Sequence, residues 1–153
     1  MEQIAELYRL YYADIYRYAY SLLRHPQAAE DVAQATFVAA IEGIARFRGD
    51  STVKTWLLGV CRNQCRAYGR THPPTAPLEG EALGAEGDRD TLTALDLVAT
   101  LPEPQRSIVR LHLFADLPFR AVGRQLGMSE AACRVAFFRA KGKLMEVLRR
   151  DET

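Results

Sequence analysis

Cysteine is scarce, with only Cys61, Cys65 and Cys133 in a chain of 153 residues. So small and odd a number excludes a disulfide framework. Histidine is equally thin: His25, His72 and His112 stand far apart, and no set of metal ligands forms around the Cys61–Cys65 pair. Nor does any motif supply a nucleophile with a base and an orienting group. The expectation is reduced, buried thiols, no metal, no cofactor and no enzymatic activity. No apolar run approaches the roughly 18 residues that a transmembrane helix needs. The opening Met1-Glu2-Gln3-Ile4 is acidic where an export signal would be basic. A cytoplasmic protein without membrane insertion is therefore expected. Strand-like alternation is missing beyond a few residues, and so is a strong net charge, which is only +1.

That near-zero charge hides a division. Residues 1–70 carry nine Lys/Arg against seven Asp/Glu, residues 71–90 one against five, and residues 91–153 ten against seven, giving +2, −4 and +3. An acidic connector masks two mildly basic ends, either of which can meet phosphate.

What the chain does contain is helical periodicity. Ile4, Leu7, Tyr8, Tyr11, Ile15, Tyr18, Ala19 and Leu22 recur in steps of three and four over residues 3–24, and Pro26 is expected to end that helix. Ala28, Ala29, Val32, Ala33, Thr36, Phe37, Ala40, Ile41 and Ile44 repeat the period to about residue 45. After a polar turn at 46–51, Ser51 or Thr52 can cap a third helix that carries Trp56, Leu57, Val60, Cys61 and Cys65 to about Gly69. Residues 71–90 hold Pro73, Pro74, Pro77, Gly80, Gly84 and Gly87 and read as a linker, compatible with a short helix near 80–86. Helices resume from Thr91 to Thr100 and from Glu103 to Ala115, with Pro102 in the first turn of the latter. The fold class is all-α: residues 1–70 form a bundle of three to four helices, 71–90 a flexible linker, and 91–153 a second helical domain.

Residues 118–144 are the most informative. A helix of about nine residues leads through Gly127-Met128-Ser129 into a longer one. Gly127 suits a left-handed turn, Ser129 caps the second helix, and Gly123 is small where that helix must cross. Cys133, Ala136, Phe137, Ala140 and Leu144 form the inner stripe. Glu130, Arg134, Phe138 and Lys141 face outward, with Val135 and Arg139 beside them. This is a helix-turn-helix, whose second helix enters the major groove of DNA. An αα-corner with a solvated basic face has the same pattern, but an outward Phe138 calls for a partner.

A second constellation is Arg46-Phe47-Arg48-Gly49-Asp50-Ser51, followed by Lys54 and Trp56. Rings interleaved with cations and hydroxyls suit single-stranded nucleic acid, with bases stacking and phosphates paired. Phe47 and Trp56 are equally compatible with the core. Arg62, Arg66 and Arg70 recur every four residues along one helix face, either solvated or tracking a phosphate backbone.

The stretch AEDVAQATFVAAIEGIARFRGDSTVKTWLLGVCRNQ resembles region 2 of extracytoplasmic-function sigma factors (group IV of the sigma-70 family). The stretch LPEPQRSIVRLHLFADLPFRAVGRQLGMSEAACRVAFFRAKGKL resembles their region 4. The resemblance implies a non-catalytic subunit of bacterial RNA polymerase that directs promoter-specific initiation. Region 2 would dock on a coiled coil of the largest subunit through Asp31, Gln34, Phe37 and Val38, with Phe37 ranked below the polar pair. It would recognise and melt the −10 element through Arg46, Phe47, Arg48, Gly49, Asp50, Ser51, Lys54, Trp56, Arg62 and Asn63. Region 4 would dock on the β-flap and read the −35 element with Ser129, Glu130, Arg134, Val135, Phe138, Arg139 and Lys141. An anti-sigma partner is implied by the same analogy.

The chain departs from the family pattern in two places. The recognition helix commonly reads Val-Lys/Arg-Ser-Arg, whereas Cys133-Arg134-Val135-Ala136 lacks a hydroxyl and a guanidinium, implying weaker or altered −35 preference. Ala67 stands where an acidic residue is frequent. Two other readings remain open from the sequence: a stand-alone helix-turn-helix regulator, which leaves residues 28–66 without a purpose, and a degenerate sigma-like protein that binds polymerase with little initiation. A cysteine-based hydrolase has no assembled site. Redox control through Cys61 and Cys65 is a further, weaker expectation.

Overall fold

The computed structural model describes residues 2–47, 49, 52–72 and 89–151. Helices make up almost all of these residues and no strand occurs among them. The chain divides between Gly87 and Asp88 into two compact units. The suggested short helix near 80–86 lies outside the described residues.

The first unit packs three helices pairwise: α1 (Glu2–Leu23), α2 (Pro26–Gly43) and α3 (Val53–Thr71). The first helix stops before Pro26. Arg24 takes a left-handed φ of 58°, and its N–H bonds the Tyr20 carbonyl at 2.8 Å. Pro26 instead opens α2, where its missing N–H costs nothing, and His25 Nδ1 caps that helix by accepting from the Ala28 N–H at 3.3 Å. The inner face of α2 is lined with small residues, Ala28, Ala29, Ala33 and Ala40. Ile15, Tyr18 and Ala19 from α1 and Leu57, Leu58, Cys61 and Cys65 from α3 complete the buried core. Thr36 is fully buried and satisfies its hydroxyl by donating to the Val32 carbonyl at 2.8 Å. Cys61 and Cys65 are buried and not joined in a disulfide.

Beyond Gly43 a tight turn at Ile44–Arg46 leads into the loop before α3. Of the two candidate caps, Thr52 accepts from the Thr55 N–H at 3.2 Å; Ser51 lies outside the described residues. Ile41, expected on the buried stripe, is 42% exposed. It falls one turn beyond Val38 and shares its outward face.

The second unit holds α4 (Arg89–Ala99), α5 (Gln105–Val109), α6 (Phe119–Leu126) and α7 (Glu130–Asp151). The helix expected from Glu103 to Ala115 begins two residues later and changes pitch. Glu103 stays outside, where its carboxylate accepts from the Ser107 N–H at 2.9 Å and the Ser107 hydroxyl at 2.6 Å. After Val109 the helix widens into a π-turn, Arg110–Phe114, closed by the Ala115 N–H on the Arg110 carbonyl at 3.1 Å. Leu95, Val98, Ile108, Leu111, Leu117, Val122, Cys133 and Ala140 are buried. Phe114, Phe137 and Leu144 pack partly buried against part of this core.

Between α6 and α7 the chain turns at Gly127, with φ 69°. The Met128 N–H returns to the Gly123 carbonyl at 2.9 Å, closing the helix end in the manner of a Schellman motif. A Cβ on residue 123 would strike the Met128 carbonyl oxygen. The need for glycine there therefore comes from the turn folding back, not from α7 crossing α6. Ser129 caps α7 as expected, its Oγ accepting from the Ala132 N–H at 3.1 Å.

Candidate nucleic-acid interface

Helix α7 buries Cys133 and Ala140 completely and Ala136, Phe137 and Leu144 in part. Its other face presents Glu130, Arg134, Val135, Phe138, Arg139 and Lys141, all exposed, with Ser129 exposed at the start of the helix. Val135 is 50% and Phe138 59% exposed, an apolar pair set among three cations. The Arg134 guanidinium is 3.2 Å from Glu130 Oε1, and its carbon lies 5.5 Å from the centroid of the Phe119 ring. Phe119 in turn stacks on His112 at 4.1 Å and meets Phe137 edge-on at 5.3 Å. Phe119 and His112 belong to no sequence motif that singles them out. Burial pushes the Cys133 thiol above its ordinary pKa, so it packs as an apolar group.

In the first unit, Phe47 and Trp56 are both half-buried, with ring centroids 5.2 Å apart. Trp56 also covers Gly43, where a Cβ would sit 3.3 Å from the indole edge. Each ring is thus packed on the other and still partly accessible. Arg46 and Gly49 are exposed, and Gly49 has φ 77°; Arg48, Asp50 and Ser51 lie outside the described residues. Lys54 is held differently from a free cation, with Nζ 3.4 Å from Asp14 Oδ2 and its side chain 18% exposed. Arg62 is half-buried and Asn63, Arg66 and Arg70 are exposed. Next to the loop, Gln3, Glu6, Leu7, Ile44, Phe47 and Val53 line a cleft of about 680 Å³. Its α1 residues lie some forty positions from the loop, and no local spacing marks them.

On α2, Asp31, Gln34 and Val38 are exposed, Val38 by 58%. Phe37, ranked below the polar pair, is 4% exposed, and its ring packs 5.0 Å from Tyr8 and 6.3 Å from Tyr12. Four residues after Ala33 and three before Ala40, both fully buried, it lies on the inner face of the helix. Gln34 Nε2 donates to the Tyr8 hydroxyl at 3.0 Å, and Asp31 Oδ1 accepts from Gln27 at 3.0 Å. Burial, with Tyr8 and Glu30 nearby, pushes the Tyr12 phenol above its usual pKa. Tyr8 and Ile41, which the apolar spacing assigned to the buried stripes, are instead exposed close to these residues.

Residues 7–72 match the family model described as Sigma-70 region 2, and residues 92–144 match Sigma-70, region 4. The chain belongs to the sigma-70 family. Its relatives place it among the extracytoplasmic-function sigma factors. It is 27% identical to the ECF RNA polymerase sigma factor SigM of Bacillus subtilis, over 96% of both chains. It is 28% identical to SigM of Mycobacterium tuberculosis, over 94% of this chain and 76% of that one. In fold it is similar to the sigma factor RpoE of Bartonella quintana, solved in complex with the anti-sigma factor NepR. There the TM-score is 0.73 at 21% identity, covering 97% of this chain and 98% of that one. No helix among the described residues of this sigma factor is long and apolar enough to cross a membrane.

Proposed function

We propose that the chain is a non-catalytic, cytoplasmic specificity subunit that joins core RNA polymerase and selects promoters at two elements. Residues 1–70 act as region 2, residues 91–153 as region 4, and residues 71–90 as the tether between them. The observation that carries this reading is the presence, in one chain, of a helix-turn-helix with an exposed Arg134–Val135–Phe138–Arg139 face and a bundle with an exposed α2 patch. A stand-alone regulator needs only the first.

Asp31, Gln34 and Val38, extended by Tyr8 and Ile41, form the surface that meets the largest subunit. The exposed Val38 and Ile41 are the apolar centre, and the polar groups are the rim. Arg46, Phe47, Arg48, Gly49, Asp50, Ser51, Trp56, Arg62 and Asn63 engage the −10 strand once it leaves the duplex. The neighbouring cleft, apolar through Leu7, Ile44, Phe47 and Val53, is suited to an unstacked base, and stacking and phosphate contacts offset the cost of extrusion. Lys54 contributes less, being paired with Asp14. At the −35 element α7 enters the major groove with Ser129 near a phosphate and Glu130, Arg139 and Lys141 around the reading residues. Arg134 suits guanine O6 and N7, and Val135 and Phe138 suit a thymine methyl. The Val135 and Ala136 departures thus change the bases preferred. The β-flap and an anti-sigma factor complete the partners, on family analogy.

Run-off transcription with purified core polymerase on genomic fragments tests this. Specific starts that require both the chain and core enzyme are expected. Core binding without starts would favour the degenerate sigma-like reading, whereas duplex retardation without any core dependence would favour the stand-alone regulator.

A further inference from the structure

Arg134 is exposed, yet two groups fix its position. Glu130, one helical turn earlier, holds the guanidinium at 3.2 Å. The ring of Phe119, at the first position of α6, lies 5.5 Å from the guanidinium carbon. That ring is itself packed against two others. His112 stacks on it at 4.1 Å and 12°, and Phe137 meets it edge-on at 5.3 Å. His112 is tied down by its Nδ1, 2.8 Å from the Leu117 carbonyl. A layered support therefore runs from the π-turn, through the start of α6, to the reading face of α7.

An unsupported arginine carries about 2 kcal/mol of rotamer entropy, part of which is lost when its planar fork meets a base. A guanidinium already resting on an aromatic face and tethered by a carboxylate has lost part of that freedom beforehand. The ring and the carboxylate differ in what they leave available. A carboxylate occupies N–H donors, whereas a π-face takes none of them in the guanidinium plane. Phe119 therefore orients the fork without consuming the donors needed for bidentate contact with guanine.

We propose that Phe119 is a positioning residue for base reading by Arg134, setting sequence discrimination at one base pair without touching DNA itself. This rests on the proposed −35 reading by α7.

The test uses the full-length chain bound to core polymerase and a duplex library randomised across the −35 element. Phe119→Leu should lower discrimination at the base pair read by Arg134 by about two- to fivefold, the worth of an exposed cation–π contact. Preference at other positions should stay unchanged, and Phe119→Tyr should restore discrimination. In an Arg134→Ala background, Phe119→Leu should have no further effect on the profile. A uniform loss of binding across the library, equal with and without Arg134, would overturn the proposal and leave Phe119 a packing residue. Circular dichroism of each variant separates misfolding from loss of discrimination, and the tyrosine variant keeps the comparison open if the leucine variant unfolds. If Arg134→Ala alone leaves discrimination unchanged at every position, the −35 reading by Arg134 fails and the positioning role falls with it. That outcome is distinct from one in which Arg134 matters and Phe119 does not.

Discussion

The Met128 N–H bonds the Gly123 carbonyl at 2.9 Å, and the Met128 carbonyl fills the space that a side chain on residue 123 would require. The two residues lock the angle between α6 and α7, and with it the direction in which Arg134 and Phe138 project. Gly123→Ala should therefore destabilise the second unit by about 1–3 kcal/mol, the usual range for overpacking. This is opposite in sign to the roughly 1 kcal/mol that alanine gains over glycine in an unconstrained helix. The obstacle is backbone, which cannot swing aside as a flexible side chain would. Trp56, the single tryptophan, lies in the first unit, so fluorescence is the wrong probe. Hydrogen exchange at Val122 and Cys133 should reveal the loss, while polymerase binding through the first unit persists. Protection equal to that of the parent chain would show that the turn relaxes without cost.

Much of this arrangement was legible in the sequence because it rests on local chemistry. Three- and four-residue apolar steps located the main helices, Gly127 and Ser129 marked the turn, and the outward set on α7 follows from helix geometry once Cys133 and Ala140 are inside. Non-local contacts were not legible. Lys54 reads as a free cation in its own segment, and only packing brings Asp14 to it from forty residues away. Phe37 falls on the apolar stripe of its helix by spacing, but that Tyr8 and Tyr12 close over it comes only from packing. The cleft beside the loop before α3 joins the start of α1 to that loop, two segments that share no spacing, and the π-turn after Val109 leaves no mark in an apolar period already satisfied by Ile108, Val109 and Leu111.

Neighbouring residues on α2 separate docking from stability. Val38 is 58% exposed and Phe37 is 4% exposed. Val38→Asp should leave the thermal midpoint of the first unit within about 4 °C of the parent, since exposed positions rarely exceed ±0.5 kcal/mol. It should nonetheless weaken core polymerase binding tenfold or more if Val38 sits at the centre of the contact. Phe37→Ala should instead lose about 3–5 kcal/mol of stability. Circular dichroism paired with a core-binding titration tells them apart; unchanged binding in Val38→Asp would move the docking surface off this face.

Salt dependence should rank the basic residues near the loop before α3. Each phosphate contact removed lowers the slope of log affinity against log salt by a little under one for duplex DNA and about 0.7 for a single strand. Arg46 is exposed, so Arg46→Ala should reduce the slope by close to one contact. Lys54 is paired with Asp14 at 3.4 Å, and Lys54→Ala should reduce it by less. Promoter-fragment binding by the reconstituted holoenzyme, measured across a salt series, gives both slopes. Equal reductions would mean that Lys54 leaves Asp14 in the promoter complex.

Glu103 gives the second unit an acid-sensitive cap. Burial works against the charged carboxylate, but hydrogen bonds from the Ser107 hydroxyl and N–H, with Arg106 and Arg110 nearby, more than offset it. The pKa is therefore lowered. A carboxyl with a depressed folded-state pKa contributes stability that is present above its unfolded value, about 4.3, and that is lost as pH falls through the still lower folded value. Glu103→Gln, which imitates the protonated side chain, should therefore be less stable than the parent at pH 7. The gap should be at most about 1 kcal/mol, the scale of a partly exposed cap. It should narrow below about pH 4, as the parent loses the same charge. Hydrogen exchange at Ile108 and Val109, corrected for intrinsic rates, follows this cap without interference from the first unit. A gap that stayed constant from pH 7 to pH 3 would mean that hydrogen-bond geometry, rather than carboxylate charge, holds the start of α5.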